Sequence, residues 1–305
     1  MTVCTLMREN GTYVYVKEHD GVKMPNNLHL KVLTEMLNLN RLSRIKNFRA
    51  HIPICIEKKN FIIKTADSPH ELRQALMLRH DVFLTELLKR KKRSGIDKDR
   101  FDKHCDHLII IDKRSNQIIG TYRLQSSEHT KKWYTATEFH MRHIKKLPGT
   151  KLELGRACVH PDHRNGITIA LLWEGITAYI NASGSSYLFG CSSIKTMDKE
   201  EIRQIYSYLM QNGHISNDHR VRPKAKFQVP GFKKYSRLHP QHWQIPIEHH
   251  VMKDKIPSLL ASYLKVGAKV CGTPALDKSF KCIDFLTLMN VDDLNKTYQR
   301  RHSSE

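Results

Sequence analysis

From Phe61 onward, short apolar runs alternate with longer segments in which apolar residues recur every three or four positions. Short apolar runs bounded by turn residues predict β-strands, whereas the 3.6-residue spacing predicts helices with one buried face. The predicted strands are Phe61–Lys64, His107–Asp112, Ile118–Gln125, Leu152–Val159, Tyr187–Cys191 and Phe280–Leu288. The polar turn Lys113–Asn116 joins the second and third strands into a β-hairpin.

The first helix of this region has a clear beginning. Ser68–Glu71 forms a capping box with Pro69 in the first turn. One stripe of the helix carries four apolar residues, Leu72, Leu76, Phe83 and Leu87, and Arg79 falls on the same stripe. A buried guanidinium is costly unless it is paired, so we expect a carboxylate or a ligand beside Arg79. The alternative is a side chain that extends to the surface.

Three further helices follow. The nearly all-apolar segment Ile167–Ile180 predicts a buried helix. The helices Asp198–Asn212 and Lys255–Val266 are each followed by a glycine, which is a common helix stop. Strands and helices alternate, so the predicted fold class is α/β (α+β), with helices flanking a mixed central sheet.

Residues 1–60 are polar and basic, and we predict that they form an N-terminal extension. Leu28–Leu42 has the pattern of an amphipathic helix followed by several arginines and lysines. It is either a helix packed on the protein surface or an interfacial helix on anionic lipid. The predicted catalytic domain covers residues 61–300, and residues 301–305 form a tail.

The charge of the chain is unusual, although its composition is that of a globular protein. Lys and Arg number 51 against 30 acidic residues, which gives a net charge of +21, while 40% of the residues are hydrophobic. Such an excess favours a polyanionic partner: nucleic acid, an anionic membrane or an acidic protein.

Cysteine spacing and hydropathy limit the cellular context. The seven cysteines include no C-x-x-C pair and no zinc-ligand spacing, so we expect reduced thiols and no metal site. The N-terminus lacks an apolar signal sequence, and the longest apolar tract contains Glu174 and is too short to span a bilayer. These features predict a cytoplasmic protein, with peripheral contact to the inner face of the membrane left open.

The strand Lys151–Val159 contains two charges inside an apolar run. Glu153 and Arg156 would face opposite sides of a regular strand. A bulge at Gly155 would re-aim the following side chains, so that the two could share a face. A bulge also frees backbone N–H groups that can stabilise a reaction oxyanion. A structural ion pair is the alternative explanation.

The loop after this strand runs directly into the predicted buried helix. It contains Arg164, Asn165 and Gly166 just before the helix N-terminus. A basic, glycine-containing loop at a helix N-terminus can bind an anion through backbone N–H groups and the helix dipole. One glycine alone makes this a weak signal.

An ordered series of motifs resembles the ornithine-lipid N-acyltransferase family of the GNAT superfamily. Members are often labelled hemolysins and are related to acyl-homoserine-lactone synthases. The motifs are Leu78–Phe83, Phe101–Leu108, Gly120–Leu124, Leu152–Arg164, Ile169–Ile176, Tyr187–Ser193, Tyr263–Ala268 and Pro274–Asp277 with Phe285. Together they extend the resemblance over about residues 61–300. It implies a GNAT-like, mostly antiparallel sheet.

The resemblance also implies a reaction. The α-amine of an amino acid such as ornithine attacks a (3-hydroxy)fatty acyl thioester on the phosphopantetheine of acyl carrier protein, giving a lyso-ornithine-lipid-type product. No cofactor is bound permanently. An ammonium must lose a proton before it attacks, and Glu153 is the expected base. The other candidates are, as catalytic residues, Arg156, Asp102 and Asp106; for the substrate, Arg79, Phe83 and Arg123; and for the acyl-phosphopantetheine, Val159, Arg164, Asn165 and Gly166. Each arginine either grips the substrate carboxylate or forms a structural salt bridge.

The loop departs from that of GNAT enzymes that use acetyl-CoA. Arg164–Ile169 lacks the second small residue that contacts a pyrophosphate. Because phosphopantetheine on a carrier protein has one phosphate, the reduced loop favours a carrier-protein donor. In the acidic segment, Arg100 and Cys105 lie near positions where homoserine-lactone synthases have acids, which disfavours an S-adenosylmethionine substrate.

The stretch from His219 to Ile247 contains no acidic residue. We expect Arg220, Arg222 and Lys224 to dock the acidic carrier protein, and Lys89–Arg93 is a second basic candidate. A solvated loop is the alternative for both. Basic and aromatic residues also alternate in nucleic-acid-binding proteins, but no recognition motif is present, so nucleic acid is a disfavoured partner.

Two other functions compete with the N-acyltransferase: an acyl-homoserine-lactone-type synthase and a membrane-active hemolysin. The altered acidic segment argues against the first. The second has no support from a spanning helix. The acylated amino acid, the acyl length and the oligomeric state stay open.

Overall fold

The computed structural model describes the backbone of residues 4–9 and 12–17, and residues 47–235 and 249–294. The chain divides into two compact units, Met1–Lys46 and Asn47–Glu305. In the first, β1 (Cys4–Glu9) pairs antiparallel with β2 (Thr12–Lys17). The predicted amphipathic helix Leu28–Leu42 lies outside the described residues, and the predicted boundary at residue 60 stays a prediction.

The second unit is built on one sheet of nine strands within the described residues, ordered β10-β11-β8-β7-β6-β5-β4-β3, with β9 pairing with β11. The strands are β3 (Cys55–Glu57), β4 (Phe61–Thr65), β5 (Asp106–Asp112), β6 (Gln117–Ser126), β7 (Thr150–Val159), β8 (Ser185–Ile194), β9 (Lys269–Val270), β10 (Ala275–Asp277) and β11 (Cys282–Asn290). All neighbouring pairs are antiparallel except β7 and β8, which are parallel. This sheet and its flanking helices confirm the predicted fold class, and all six predicted strands are present.

The α-helices whose bounds are described are α1 (Pro69–Arg79), α2 (Arg142–Lys145), α3 (Gly166–Ser183), α4 (Lys199–Gln211), α5 (Phe232–Tyr235), α6 (His249–Lys255) and α7 (Ser258–Lys265). No helix in this part of the chain is both long and apolar enough to cross a membrane. The helix predicted over Lys255–Val266 is present as α7, but it begins at Ser258 because Pro257 separates it from α6.

Helix α1 begins as the sequence predicts and continues in a different geometry. The Ser68 side chain accepts a hydrogen bond from the Glu71 N–H, and Pro69 opens the first turn. After Arg79 the chain continues as a π-helix over His80–Leu87. The wider turn shifts the side chains that follow, so the predicted apolar stripe ends at this point and Leu87 is 44% exposed.

Helix α3 packs its buried face onto the sheet. Ile176 and Tyr179 join the same core cluster as Ile63 and Leu108. Gly175 allows this approach, since a Cβ there would lie 2.7 Å from side-chain atoms of both Ile63 and Leu108. The helix is less completely buried than its composition predicts, because Ile167 in its first turn is 63% exposed.

Strands β7 and β8 separate part of the way along their length. Their pairing runs from Thr150 to Glu153 and ends at the partner Phe189. At the point of divergence Gly190 lies against β7, where an added Cβ would overlap the carbonyl oxygen of Leu154. Beyond it the edges of the two strands that face each other are no longer paired, which opens a wedge in the middle of the sheet.

Candidate active site

A cavity of about 470 Å³ opens where β7 and β8 diverge. One end is apolar and includes Leu154, Leu260 and the rings of Tyr122 and Tyr263, whose hydroxyl groups are hydrogen-bonded to each other. The other end is strongly polar. The charged residues that line the cavity are Arg123, Glu153, Arg156, Lys195, Asp277, Lys281 and Asp284. A cavity with one apolar and one charged end can accommodate an acyl chain and a charged acceptor together.

Strand β7 carries a bulge, which begins one residue after the position predicted at Gly155. Its pairing with β6 shifts register between Thr121 and Arg123, so that Arg156 and Ala157 together oppose one residue of β6. Arg156 has φ 54°, a left-handed conformation that is uncommon outside glycine. The bulge turns Arg156 into the cavity that Glu153 also lines, as predicted from the sequence.

Glu153 is 3% exposed and both of its carboxylate oxygens accept backbone hydrogen bonds. Oε1 accepts from the Thr135 N–H at 2.6 Å, and Oε2 accepts from the Tyr134 N–H at 2.8 Å. Burial raises the pKa of Glu153, although the hydrogen bonds from Thr135 and Tyr134 oppose this shift. A buried carboxylate with a raised pKa at the wall of a cavity is suited to accept a proton.

Arg79 is fully buried and paired, which excludes the surface-directed alternative. Its Nη1 donates to Asp102 Oδ1 at 2.7 Å, and its Nε and Nη2 donate to Asp97 Oδ2 at 3.0 and 2.8 Å. Burial opposes ionisation of Asp102, but Arg79 and Arg123 hold the pKa of its carboxyl well below the usual value. Arg79 does not line the cavity, and its contacts are with the buried carboxylates of Asp97 and Asp102.

Two further arginines extend this network to the cavity. Arg123 Nη1 donates to Asp99 Oδ2 at 2.7 Å and to Asp102 Oδ1 at 3.2 Å. The Arg156 guanidinium lies 3.4 Å from Asp99 and 4.7 Å from the centre of the Tyr134 ring. All three predicted arginines therefore form ion pairs within the protein, and Arg123 and Arg156 also line the cavity.

Asp106 does not join this network. Its carboxylate accepts hydrogen bonds from the backbone N–H groups of His51 and Ile52 and from the hydroxyl of Tyr179, at 2.8 to 3.0 Å. The Asp106 carboxylate thus connects His51 and Ile52, which precede β3, to helix α3. The structure thus separates Asp102 and Asp106, which the sequence analysis grouped, and brings Asp97 and Asp99 into the cluster instead. Phe83 does line the cavity, from the π-helix.

Three buried carboxylates that the sequence analysis did not select lie close together, and two of them, Asp277 and Asp284, line the cavity. Oxygens of Glu138, Asp277 and Asp284 all lie within 4.8 Å of one another. Burial, with the charge of Asp284 close by, raises the pKa of Glu138 to about 9, and burial raises the pKa of Asp284. We call these three residues the carboxylate cluster. Such a set of oxygens can hold a cation, either a metal ion or an ammonium group.

One of the three could have been found from the sequence. Asp284 lies inside the apolar strand Phe280–Leu288, and a charge in an apolar run was the signal that identified Glu153. Asp277 was seen only as part of a family motif. No pattern in the sequence around Glu138 indicated a functional residue, because contacts with distant residues determine its position. Phe139 forms a β-bridge with Pro223, and the Lys224 N–H donates to the Glu138 carbonyl.

The side chains of the loop after β7 form contacts within the protein. Arg164 forms a double ion pair with Glu86 at 2.7 and 2.6 Å, and its Nε donates to the carbonyl of Val159. Asn165 caps α3 by accepting from the Thr168 N–H, and Gly166 is the first residue of the helix. None of these four predicted residues lines the cavity. Their role toward the acyl-phosphopantetheine stays a prediction.

Arg220 and Arg222 line a different cavity, of about 930 Å³. Its lining contains several basic residues together with Tyr206, Met210 and Phe232. Lys224 follows as the residue before a short 3₁₀ helix. Only the part of the acid-free stretch up to residue 235 is described. The predicted docking residues are therefore exposed or half-buried, but they do not line the cavity that holds Glu153.

Known proteins resemble this chain over most of its length. A family model described as an acetyltransferase (GNAT) domain matches residues 78–174. An L-ornithine N(alpha)-acyltransferase of Brucella abortus (strain 2308) is 30% identical over 257 residues, which cover 80% of this chain and 89% of that protein. An L-ornithine N(alpha)-acyltransferase of Rhizobium meliloti (strain 1021) is 28% identical over 263 residues, covering 81% and 85%.

Solved structures give weaker similarities. A CoA-dependent acyl-homoserine lactone synthase with SAM and isopentyl-CoA has a TM-score of 0.41 and 15% identity, covering 75% of this chain and 81% of the other. An N-acyl amino acid synthase from uncultured soil microbes has a TM-score of 0.42 and 8% identity, covering 79% and 96%.

Proposed function

Because the chain belongs to the L-ornithine N(alpha)-acyltransferase family, we propose that it transfers a fatty acyl group from acyl carrier protein to the α-amine of ornithine. The product is an acyl-ornithine with an amide bond, of the kind that serves as a precursor of amino-acid-containing lipids. The proposed acyl group is a (3-hydroxy)fatty acyl group.

The observation that carries the choice of ornithine is the charge pattern at the polar end of the cavity. Ornithine has a carboxylate, an α-amine and a terminal ammonium on its side chain. The carboxylate cluster provides Asp277 and Asp284 at the cavity wall for that ammonium, with Glu138 close behind them, and each of the three is less than 10% exposed. Arg156 provides a guanidinium for the substrate carboxylate. An uncharged side chain would offer these buried acids no cation and would lose that electrostatic attraction.

Glu153 lies in the same cavity and is the proposed general base. It removes a proton from the α-ammonium, and the neutral amine attacks the thioester carbonyl carbon. The new C–N bond forms as the C–S bond breaks, and the leaving thiolate takes up a proton to become the free thiol of phosphopantetheine. Backbone N–H groups at the Arg156–Ala157 bulge are the proposed hydrogen-bond donors to the oxyanion of the intermediate.

The wedge between β7 and β8 is the proposed path of the donor arm. Phosphopantetheine contains two amide groups in an extended chain, and the unpaired strand edges beyond Glu153 offer backbone partners for them. The acyl chain then extends toward the apolar end at Tyr122 and Tyr263. Arg164, already neutralised by Glu86, leaves little positive charge for a pyrophosphate, which supports a carrier protein rather than coenzyme A as donor.

The direct test is acyl transfer by the purified protein. We expect incubation with 3-hydroxyacyl carrier protein and ornithine to give acyl-ornithine in mass spectrometry, with fragmentation that places the acyl group on the α-nitrogen. Glycine should react far more slowly because it has no ammonium for the carboxylate cluster. Equal rates with glycine and ornithine would refute the assignment of the acceptor. Formation of a lactone from S-adenosylmethionine would instead identify a homoserine-lactone-type synthase.

A further inference from the structure

The mouth of the active-site cavity is surrounded by cationic side chains. Lys195 and Lys281 line the cavity itself, and Lys89 directly follows the lining residues Leu87 and Leu88. Basic residues continue along the chain to Arg93, and Lys278 lies three residues before Lys281. All of these side chains are exposed. We call Lys89–Arg93, Lys195, Lys278 and Lys281 the basic mouth.

Contacts join the separate parts of the basic mouth into one surface. Arg90 Nη1 lies 3.5 Å from the carbonyl oxygen of Ser279, which brings the Lys89–Arg93 segment to the loop that carries Lys278 and Lys281. Lys89 and Lys195 both lower the pKa of Glu86, so both lie close to that side chain. The surface therefore extends around the opening from the end of the π-helix to β8 and β11.

These cations have no acidic partners within the described residues. None of the ion pairs there involves a residue of the basic mouth, and the nearby carboxylate of Glu86 is already paired with Arg164. Leu87, 44% exposed, adds an apolar side chain in their midst. A group of unpaired cations around an apolar contact is complementary to an acidic protein that also presents apolar surface.

We infer that the basic mouth is the docking surface for the acidic carrier protein, an inference that rests on the function proposed above. A carrier delivers its acyl group on a single flexible arm, so it has to dock beside the opening through which the arm enters. The basic mouth lies at that opening. Arg220, Arg222 and Lys224, the docking residues expected from the sequence, belong to the surroundings of the second cavity and serve as the comparison surface.

Two triple variants with the same change in net charge separate the surfaces. One is Arg90→Glu with Lys91→Glu and Lys278→Glu, three exposed residues that do not line the active-site cavity. The other is Arg220→Glu with Arg222→Glu and Lys224→Glu. We expect the first to lower kcat/KM for acyl carrier protein by roughly 10- to 100-fold at low ionic strength and to flatten its salt dependence. The second should change kcat/KM by less than about twofold, since its charges lie away from the opening.

Donors of different size show what the cations bind. Acyl-pantetheine has neither carrier nor phosphate, and both variants should use it as well as the unmodified enzyme does. Acyl-CoA has phosphates but no carrier. If the first variant loses acyl-CoA and acyl-carrier activity equally, the basic mouth binds the phosphates of the donor and the docking inference is wrong. A loss confined to the second variant would overturn it as well, in favour of the second cavity.

Binding without catalysis separates this inference from the proposed function. Apo carrier protein, which lacks the phosphopantetheine arm, should bind the unmodified enzyme and bind the Arg90/Lys91/Lys278 variant at least tenfold more weakly. Equal binding to both would refute the docking surface even if acyl transfer to ornithine is demonstrated. Failure of the unmodified enzyme to acylate ornithine from any donor would refute the proposed function, whatever the binding data show.

Discussion

Glu153 holds the backbone of Thr135 through a 2.6 Å hydrogen bond, and its second oxygen holds Tyr134. The proposed base is thus also the anchor of the segment that leads to Glu138. This double role matters for mutagenesis, because a loss of activity on changing Glu153 can come from the lost base or from a displaced acceptor site.

Glu153→Gln is expected to lower kcat by about 10²- to 10⁴-fold, the usual range for a general acid–base group. Glutamine keeps one acceptor oxygen, so one of the two buried N–H groups loses its partner at a cost of about 1–3 kcal/mol. Steady-state kinetics and thermal unfolding check both effects. The exposed Glu128→Gln is the matched control and should change neither quantity. Near-normal turnover in a folded Glu153→Gln protein would remove the base assignment.

Arg79→Ala should destabilise the protein by about 3–5 kcal/mol, because it leaves Asp97 and Asp102 buried without their cation. Denaturant unfolding measures this change. Arg203→Ala removes an exposed pair with Glu200 and should cost less than about 1 kcal/mol. If both variants unfold at the same denaturant concentration, the buried network contributes little to stability.

The same network makes a prediction about pH. The pKa of Asp102 is lower in the folded protein than in the unfolded chain, so its pairing stabilises the fold above the unfolded pKa, about 3.9. That contribution decreases as the pH falls below this value. When the pH is lowered from 5 to roughly 2, the free energy of unfolding should therefore decrease less for Arg79→Ala than for the unmodified protein. Parallel losses for the two proteins would contradict the role given to this ion pair.

The raised pKa of Glu138 predicts that ligand binding releases a proton. Its pKa of about 9 keeps it protonated at neutral pH in the free enzyme, whereas an ammonium beside it favours the carboxylate. Binding of 5-aminopentanoate, which has the carboxylate and terminal ammonium of ornithine but no α-amine, should release a proton at pH 7. Its affinity should rise by up to about tenfold per pH unit until the pH approaches that pKa.

Calorimetry in buffers of different ionisation enthalpy counts the released proton. Glu138→Gln should abolish both the release and the rise in affinity. The exposed Asp162→Asn, outside the cavity, should retain both. Unchanged proton release in Glu138→Gln would place the terminal ammonium elsewhere.

Gly190→Ala should destabilise the protein, because the added methyl overlaps the carbonyl oxygen of Leu154 where the two strands diverge. Strain from such overpacking typically costs about 1–3 kcal/mol. Gly166→Ala is the matched control, since nothing lies within 4 Å of a Cβ at that position in the first turn of α3. Equal stability of the two variants would mean that β7 and β8 tolerate a wider separation.

The sequence identified those features of the site that have a local cause. Glu153 and Arg156 were found because charges inside an apolar strand are unusual, and a bulge was expected because Gly155 interrupts that strand. The capping box at Ser68 was likewise predictable, since the hydrogen bond connects residues three positions apart.

Features set by distant contacts were not predictable. Asp97 pairs with Arg79 from a loop without any periodic pattern, and no residue type marks the change from α- to π-helix after Arg79. The carboxylate cluster assembles residues separated by more than 130 positions in the sequence, Glu138 on one side and Asp277 and Asp284 on the other. Only the folded sheet brings them together.

The wedge between β7 and β8 has a consequence for the dynamics of the protein. Both strands are paired with other strands on their outer sides. The backbone amides that point into the wedge, in contrast, have solvent or a ligand as hydrogen-bond partner instead of the neighbouring strand. In the free protein these amides should exchange their hydrogens with deuterated water much faster than their neighbours in the same strands. A bound donor arm would act as a short additional strand and slow that exchange. The sheet is then complete only while the enzyme holds its acyl donor.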